Sequence, residues 1–193
     1  MSAQVRVIFR DRNPDLCEFV QRLAPESWTI QCQDMFDPIV KGQRLADYIV
    51  SPANCLGRMD GGIDAEYIRF FGWELQARVC HKLLEDVGGV DARGRYARRV
   101  GRVEIGNAVV VPTFAHEIPN LIVAPTMDWP PRAVVGTQNA YVAFRAAWRA
   151  AWLHQKGVED FTVITPGLAS LTGQIPAFEV AEQMIKAFKH ANP

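Results

Sequence analysis

The 193-residue chain has no apolar run near the ~18 residues that a membrane-spanning helix needs, so no helical span is expected. Its opening, Met1-Ser2-Ala3-Gln4-Val5-Arg6, lacks the apolar segment of a signal peptide, and a cytoplasmic location is the expectation. Charge of one sign is also missing. Lys+Arg and Asp+Glu stand at 21 each, which leaves no global field to recruit nucleic acid or an acidic membrane. Cysteine is sparse: positions 17, 32, 55 and 80 show neither a C-x-x-C pair nor metal-ligand spacing, and read as reduced thiols. His81, His116, His154 and His190 are scattered, so no metal is expected, and no Ser/His/Asp arrangement is readable. No glycine loop is followed by Gly-Lys-Ser/Thr, and no G-x-G-x-x-G occurs, which sets aside the P-loop and dinucleotide-binding motifs.

What is present is an ordinary globular composition, 49% hydrophobic and 22% charged, laid out as alternating strands and helices. Val5–Phe9 predicts a buried strand. Asn13-Pro14-Asp15 supplies a cap and a proline for a helix carrying Leu16, Phe19, Val20 and Leu23, which ends at Pro25. Trp28–Gln33 alternates as a strand with Asp34 at its end, and Leu45–Val50 predicts a third. Asp64 to about Val87 predicts a helical region. Gly106-Asn107 between Arg102–Ile105 and Ala108–Val111 is a hairpin signal. Leu121–Pro125 and Phe161–Thr165 predict further strands. Between them Thr137 opens a helix to about Gln155, stopped by Gly157, with Tyr141, Phe144, Trp148 and Trp152 as its core stripe. A last helix carries Phe178, Ala181, Ile185 and Phe188. Arg93, Arg95, Arg98, Arg99 and Arg102 form a basic cluster without interleaved aromatics, read as a solvated loop. With no repeat and no linker, residues 1–193 are expected to form one α/β domain.

Two loops stand out. Ser51-Pro52-Ala53-Asn54 leads through Gly57, Arg58, Met59 and Asp60 to Gly61-Gly62-Ile63-Asp64, a strand end, a glycine-bearing loop and a helix start. Backbone N–H groups at such a helix start can face an anion. The second runs from Gly167 to Pro176 as Gly-Leu-Ala-Ser-Leu-Thr-Gly-Gln-Ile-Pro, again between strand and helix. If their strands run parallel, both loops lie at one sheet edge, where ligands bind in open α/β sheets. For Asn54 and Asp64 the alternative reading is loop fixing and helix capping, and for Asp34 a turn.

These loops resemble those of the macro domain family, the ADP-ribose-binding α/β/α modules. The first looks like the family's N-A-A-N…G-G-G-[VI]-D loop, with the same ten-position step from Asn54 to Asp64, and the second like its G-L-G-T-G-x-x-x-x-P phosphate loop. The resemblance implies a three-layer α/β/α sandwich with a central mixed sheet. It implies ADP-ribose as ligand, no cofactor, and ADP-ribose or an ADP-ribosylated macromolecule as partner; direct nucleic-acid binding is not expected. By the same resemblance Asp34 accepts the adenine amino group, with the Met35 backbone nearby. Asn54 holds the distal ribose with Asp64 beside it, and these two are the candidate catalytic residues. Gly61, Gly62 and Ile63 line the phosphate from one side, and Ser170, Leu171, Thr172 and Gly173 from the other.

Arg58, Met59 and Asp60 depart from the family's small residues, and Ala169 and Leu171 replace two glycines of its phosphate loop. A positive φ at Leu171 would be strained. The family's C-terminal strand–helix unit is expected here at the other end, about residues 5–24, with Phe9 in the place of the aromatic that stacks on adenine. Three functions remain open: a hydrolase of ADP-ribosyl or ADP-ribose 1″-phosphate derivatives, a non-catalytic reader of ADP-ribose, or a scaffold on the same fold without ligand. Asp64, at a helix mouth, is expected to stay ionised and to be a weak base until a ligand desolvates it.

Overall fold

The computed structural model describes residues 5–86, 101–155 and 160–191. Val5–Asp11, with β-branched Val5, Val7 and Ile8, forms strand β1. Asn13 then caps helix α1, Pro14–Leu23, its side chain accepting from the Asp15 and Leu16 N–H groups. Pro14 sits at the helix start, where a missing N–H costs nothing. Strand β2 is Trp28–Cys32 and β3 is Tyr48–Ser51. Helices α2, Gly62–Phe71, and α3, Glu74–Asp86, follow. Strands β4, Val109–Pro112, and β5, Asn120–Val123, precede helix α4, Asn139–Gln155. Strand β6, Phe161–Thr165, and helix α5, Ala177–Ala191, complete the order.

Among the described residues, six strands lie in the order β2-β1-β6-β3-β5-β4. Every neighbouring pair is parallel except β4 with β5. Because side chains alternate along a strand, each strand feeds both faces of the sheet. On one face Val7, Phe9, Trp28 and Val163 meet Leu16, Phe144 and Phe188 from α1, α4 and α5. On the other, Ile49, Leu121 and Ile164 meet Tyr67, Leu75 and Val79 from α2 and α3. The result is a three-layer α/β/α sandwich around a mixed sheet. Among the described residues no helix is long and apolar enough to cross a membrane.

Several sequence expectations need correction. The helical region after Asp64 is two helices, because Gly72 takes φ 91° and gives its N–H to the Ile68 carbonyl, ending α2. The hairpin about Gly106-Asn107 does not form. Asn107 N–H bonds to the Glu104 carbonyl at 2.9 Å, but Arg102–Ile105 is not a strand and β4 pairs with β5. A turn signal fixes where a chain reverses and leaves open which strand it then joins. Val103 instead gives its N–H to the Cys55 carbonyl, while Arg102 pairs with Glu104 and Asp128. The third strand begins at Tyr48, since the Leu45 and Ala46 N–H groups bond to Glu117. Phe144 and Trp148 are core, whereas Trp152 and Phe178 are exposed. Gly157, Arg93, Arg95, Arg98 and Arg99 lie outside the described residues.

Gly57 shows how tightly the first loop sits on α3. It adopts φ 61°, and a Cβ there would lie 2.7 Å from Val79 Cγ1 and 2.9 Å from Leu83 Cδ1. Gly57→Ala combines a left-handed backbone penalty with overpacking, each about 1–2 kcal/mol or more. Its urea-denaturation midpoint should fall by the equivalent of at least about 2 kcal/mol, and an unchanged midpoint would contradict this packing.

Candidate ligand cavity at the strand ends

A cavity of about 490 Å³ opens at the carboxyl ends of the parallel strands. β1 contributes Arg10 and Asp11, the loop after β2 Met35, β3 leads to Asn54, β5 to Met127, and β6 to the Gly167 loop. This is the crevice in which open α/β sheets bind ligands, and the volume lies within the range of small-molecule sites.

The first loop is zipped to the chain leaving β5. Ala124, Thr126 and Cys55 N–H groups bond to the Ser51, Ala53 and Met127 carbonyls, each at 3.0 Å. Asn54 then shapes the loop: its Oδ1 accepts from the Leu56 and Arg58 N–H groups and its Nδ2 donates to the Arg58 carbonyl at 2.9 Å. Gln76 of α3 supports it from below, accepting from Met59 N–H and donating to the Gly57 carbonyl. The loop delivers Gly61 as cap of α2 with no side-chain hydrogen bond to the helix end. The first N–H groups of α2, beginning with Gly62 and Ile63, have no intrahelical partner, and both residues line the cavity.

The second loop is held from β1. Asp11 accepts the Gly167 N–H at 2.9 Å with one carboxylate oxygen and the Asn13 N–H at 2.9 Å with the other. A Cβ at Gly167 would run into Leu16 of α1, so the loop needs glycine there. Ala169, not Leu171, takes the left-handed backbone, at φ 60°, and its carbonyl accepts from Ile175 N–H. The strain expected at Leu171 is therefore absent; its side chain is exposed at the rim. At Ala169 the left-handed backbone costs about 1–2 kcal/mol, with alanine the smallest side chain that has a Cβ.

Asp64 lies between these loops. It is 6% exposed, lines the cavity, and accepts the Ser51 hydroxyl proton at 2.6 Å. Burial pushes its carboxyl up to about 7, with Ser51 opposing and Asp60 adding to the shift. The carboxyl is thus more basic than its helix-mouth position alone implies, and is only about half ionised near pH 7. Desolvation outweighs the dipole, which is worth up to about 2 kcal/mol in partly buried geometries.

No family model matches the chain. An uncharacterized protein of Aquifex aeolicus (strain VF5) is 26% identical over 149 residues, covering 77% of this chain and 76% of that protein. Among solved structures, the macrodomain of Mycobacterium tuberculosis DarG superposes with a TM-score of 0.56 at 20% identity, covering 78% of this chain and 88% of that one. The fold is that of a macrodomain.

Within this macrodomain fold the predicted residues separate into two groups. Met35, Asn54, Gly61, Gly62, Ile63, Asp64 and Ser170 to Gly173 all line the one cavity. Phe9 and Asp34 do not. Phe9 is fully buried, because β1 is an interior strand and alternation turns Phe9 with Val7 onto the α1/α4/α5 side. Its neighbour Arg10 takes the cavity wall, donating to Gln31 Oε1 at 2.7 Å and the Met35 carbonyl at 2.8 Å, and burial lowers its pKa. Asp34 accepts from Phe36 N–H and pairs with Arg12, which also reaches Glu66. The Phe36 N–H first, then Arg12, hold Asp34 below the usual carboxylate range. Sequence reasoning missed Ser51, Arg10, Asp11, Arg12 and Glu66. The charged run Arg10-Asp11-Arg12 closing a buried strand was the available signal.

The Asp64 shift has a stability consequence. The folded pKa near 7 exceeds the unfolded value of about 3.9, so the contribution is full below about pH 4 and is lost as pH rises through 7. Asp64→Asn, similar in shape and uncharged, escapes that loss. Relative to wild type, the variant should gain on the order of a few kcal/mol between pH 4 and 7.5 in urea titrations. A difference that stays flat with pH would contradict an Asp64 carboxyl buried in this way.

Proposed function

We propose that this chain binds ADP-ribose, free or attached to a macromolecule, and that Asp64 equips the site for hydrolysis at the distal ribose C1″. The observation that carries the reading is the convergence of two loops on one cavity. The uncapped start of α2 at Gly62 and Ile63 faces the loop Ser170–Gly173, with buried Asp64 within the same walls. A diphosphate between the loops is held by backbone donors from both sides. The adenine lies toward Met35, and Asp34, which stands outside the cavity lining, reaches it only by leaving Arg12 and turning inward. The distal ribose lies toward Asn54, which serves it by holding the loop in shape. The strand–helix unit 5–24 stands for the family's C-terminal unit, a reading supported by β1 lying inside the sheet between β2 and β6.

A water at C1″ next to a carboxylate with a pKa near 7 meets the usual requirement of a general base, worth about 10²–10⁴-fold in rate. Binding and turnover then depend on pH in opposite directions. Negative phosphates near Asp64 favour its protonated form, so ADP-ribose binds with proton uptake and its affinity falls as pH rises from 6 to 8. Base catalysis needs the ionised form, so turnover rises over the same range.

Calorimetry with ADP-ribose at pH 6, 7 and 8 tests this on wild type and Asp64→Asn. The expected result is 1:1 binding, weakening with pH by up to about tenfold per unit in wild type and independent of pH in the variant. No heat at millimolar ADP-ribose would reject the reading and leave a scaffold without ligand. A parallel assay of ADP-ribose release from modified protein separates the remaining two functions. Turnover that disappears in the variant while binding persists assigns Asp64 to chemistry. Binding without turnover in wild type identifies a reader.

A further inference from the structure

Cys17 and Cys32 belong to different elements, yet the fold brings them together behind the Asp11 wall of the cavity. Cys32 closes β2 and stands opposite Asp11 in the parallel register with β1. Alternation along β2 turns Cys32 to the same side as Trp28 and Ile30, the side that α1 covers. Cys17 lies in the first turn of α1 and donates its S–H to the Asp11 carbonyl at 3.3 Å. Asp11 is thus the common neighbour of both residues. Burial first, and then the Cys32 thiol, push the Cys17 thiol up to about 12. Cys32 is exposed and Cys17 buried, so an oxidant meets one thiol while the other waits beside it. The remaining cysteines sit elsewhere, Cys55 buried in the first loop and Cys80 exposed on α3.

We propose that Cys17 and Cys32 form a dithiol modification site, which a peroxide converts to an intramolecular disulfide joining α1 to β2. Cys32, as its thiolate, attacks one oxygen of hydrogen peroxide. The O–O bond breaks, the sulfur is oxidised to a sulfenic acid, and the departing hydroxide takes up the thiol's proton as water. The Cys17 sulfur then attacks the Cys32 sulfur. The S–O bond breaks and hydroxide leaves with the Cys17 proton as a second water. Two thiols and one peroxide become one disulfide and two waters. Once Cys32 is a sulfenic acid it no longer opposes ionisation of Cys17 as a neighbouring thiolate does, which favours the second step.

Forming the S–S bond removes the Cys17 S–H, and with it the hydrogen bond to the Asp11 carbonyl. Asp11 is the residue whose carboxylate holds the Asn13 and Gly167 N–H groups, so the second loop feels the link. That consequence rests on the ADP-ribose reading; the link itself does not.

The test uses the full chain carrying Cys80→Ser, which removes the other exposed thiol. The protein is treated with hydrogen peroxide, blocked with N-ethylmaleimide and analysed by intact and peptide mass spectrometry. The expected product has lost two hydrogens, carries a Cys17–Cys32 peptide link, and reverts with dithiothreitol. Adding Cys32→Ser, a change at an exposed position, should abolish the link and leave Cys17 a thiol. Cys32 found as sulfinic acid beside an unmodified Cys17, or a Cys32 link between two copies, would overturn the proposal. ADP-ribose calorimetry on the oxidised protein should show affinity reduced several-fold, and equal affinity would overturn the coupling to the cavity. Failure of the reduced protein to bind ADP-ribose would count against the ADP-ribose reading and leave the link standing.

Discussion

Five strands that run the same way oblige the loops that leave them to gather along one edge of the sheet. β2, β1, β6, β3 and β5 are parallel, so Met35, Asp11, the Gly167 loop, Asn54 and Met127 meet without any long-range search for one another. The price is a set of unpaired backbone groups at that edge. Part of it is met within the protein, by Asn54 on its own loop, by Asp11 on Gly167, and by the ladder between the β3 and β5 exits. The start of α2 has no capping side chain, and it opens into the cavity. On the proposed reading, an anionic ligand would complete what the fold leaves incomplete there.

The same edge accounts for the state of Asp64. A carboxyl at a helix start in water would be ionised and stabilising. Here it is covered, with the Ser51 hydroxyl as its hydrogen-bond donor, and Asp60 lies near enough to oppose its charge. Burial makes the ionised form of this group costly at neutral pH, and groups perturbed in this way are concentrated at functional sites. Arg10, a buried cation on the same cavity wall, is a second instance. Both are held by neutral partners, a hydroxyl for one and an amide and a carbonyl for the other.

Much of this was legible in the residues. Asn13-Pro14 announced α1, the apolar run Phe161–Thr165 marked β6, and the glycines with Asn54 and Asp64 marked the first loop. All three depend on local backbone chemistry, which a short window contains. What was not legible depends on which strand lies beside which. The side of the sheet that Phe9 faces, the pairing of β4 with β5, and the contact of Asp11 with Gly167 across most of the chain are decided by tertiary packing. The Asp64 shift belongs to the same class, since a dipole can be read from sequence position but desolvation cannot. Ala169 and Gln174 show the limit on a smaller scale: the loop was recognisable, but which of its residues would take the left-handed backbone was not.

The central claim is that both loops grip one anionic nucleotide. A crystal structure of the chain with ADP-ribose tests it most directly. The account predicts diphosphate oxygens within hydrogen-bond distance of the Gly62 or Ile63 N–H on one side and of N–H groups from Ser170–Gly173 on the other, with C1″ turned toward Asp64. ADP-ribose bound elsewhere on the surface, or a cavity left empty at saturating ligand, would contradict it.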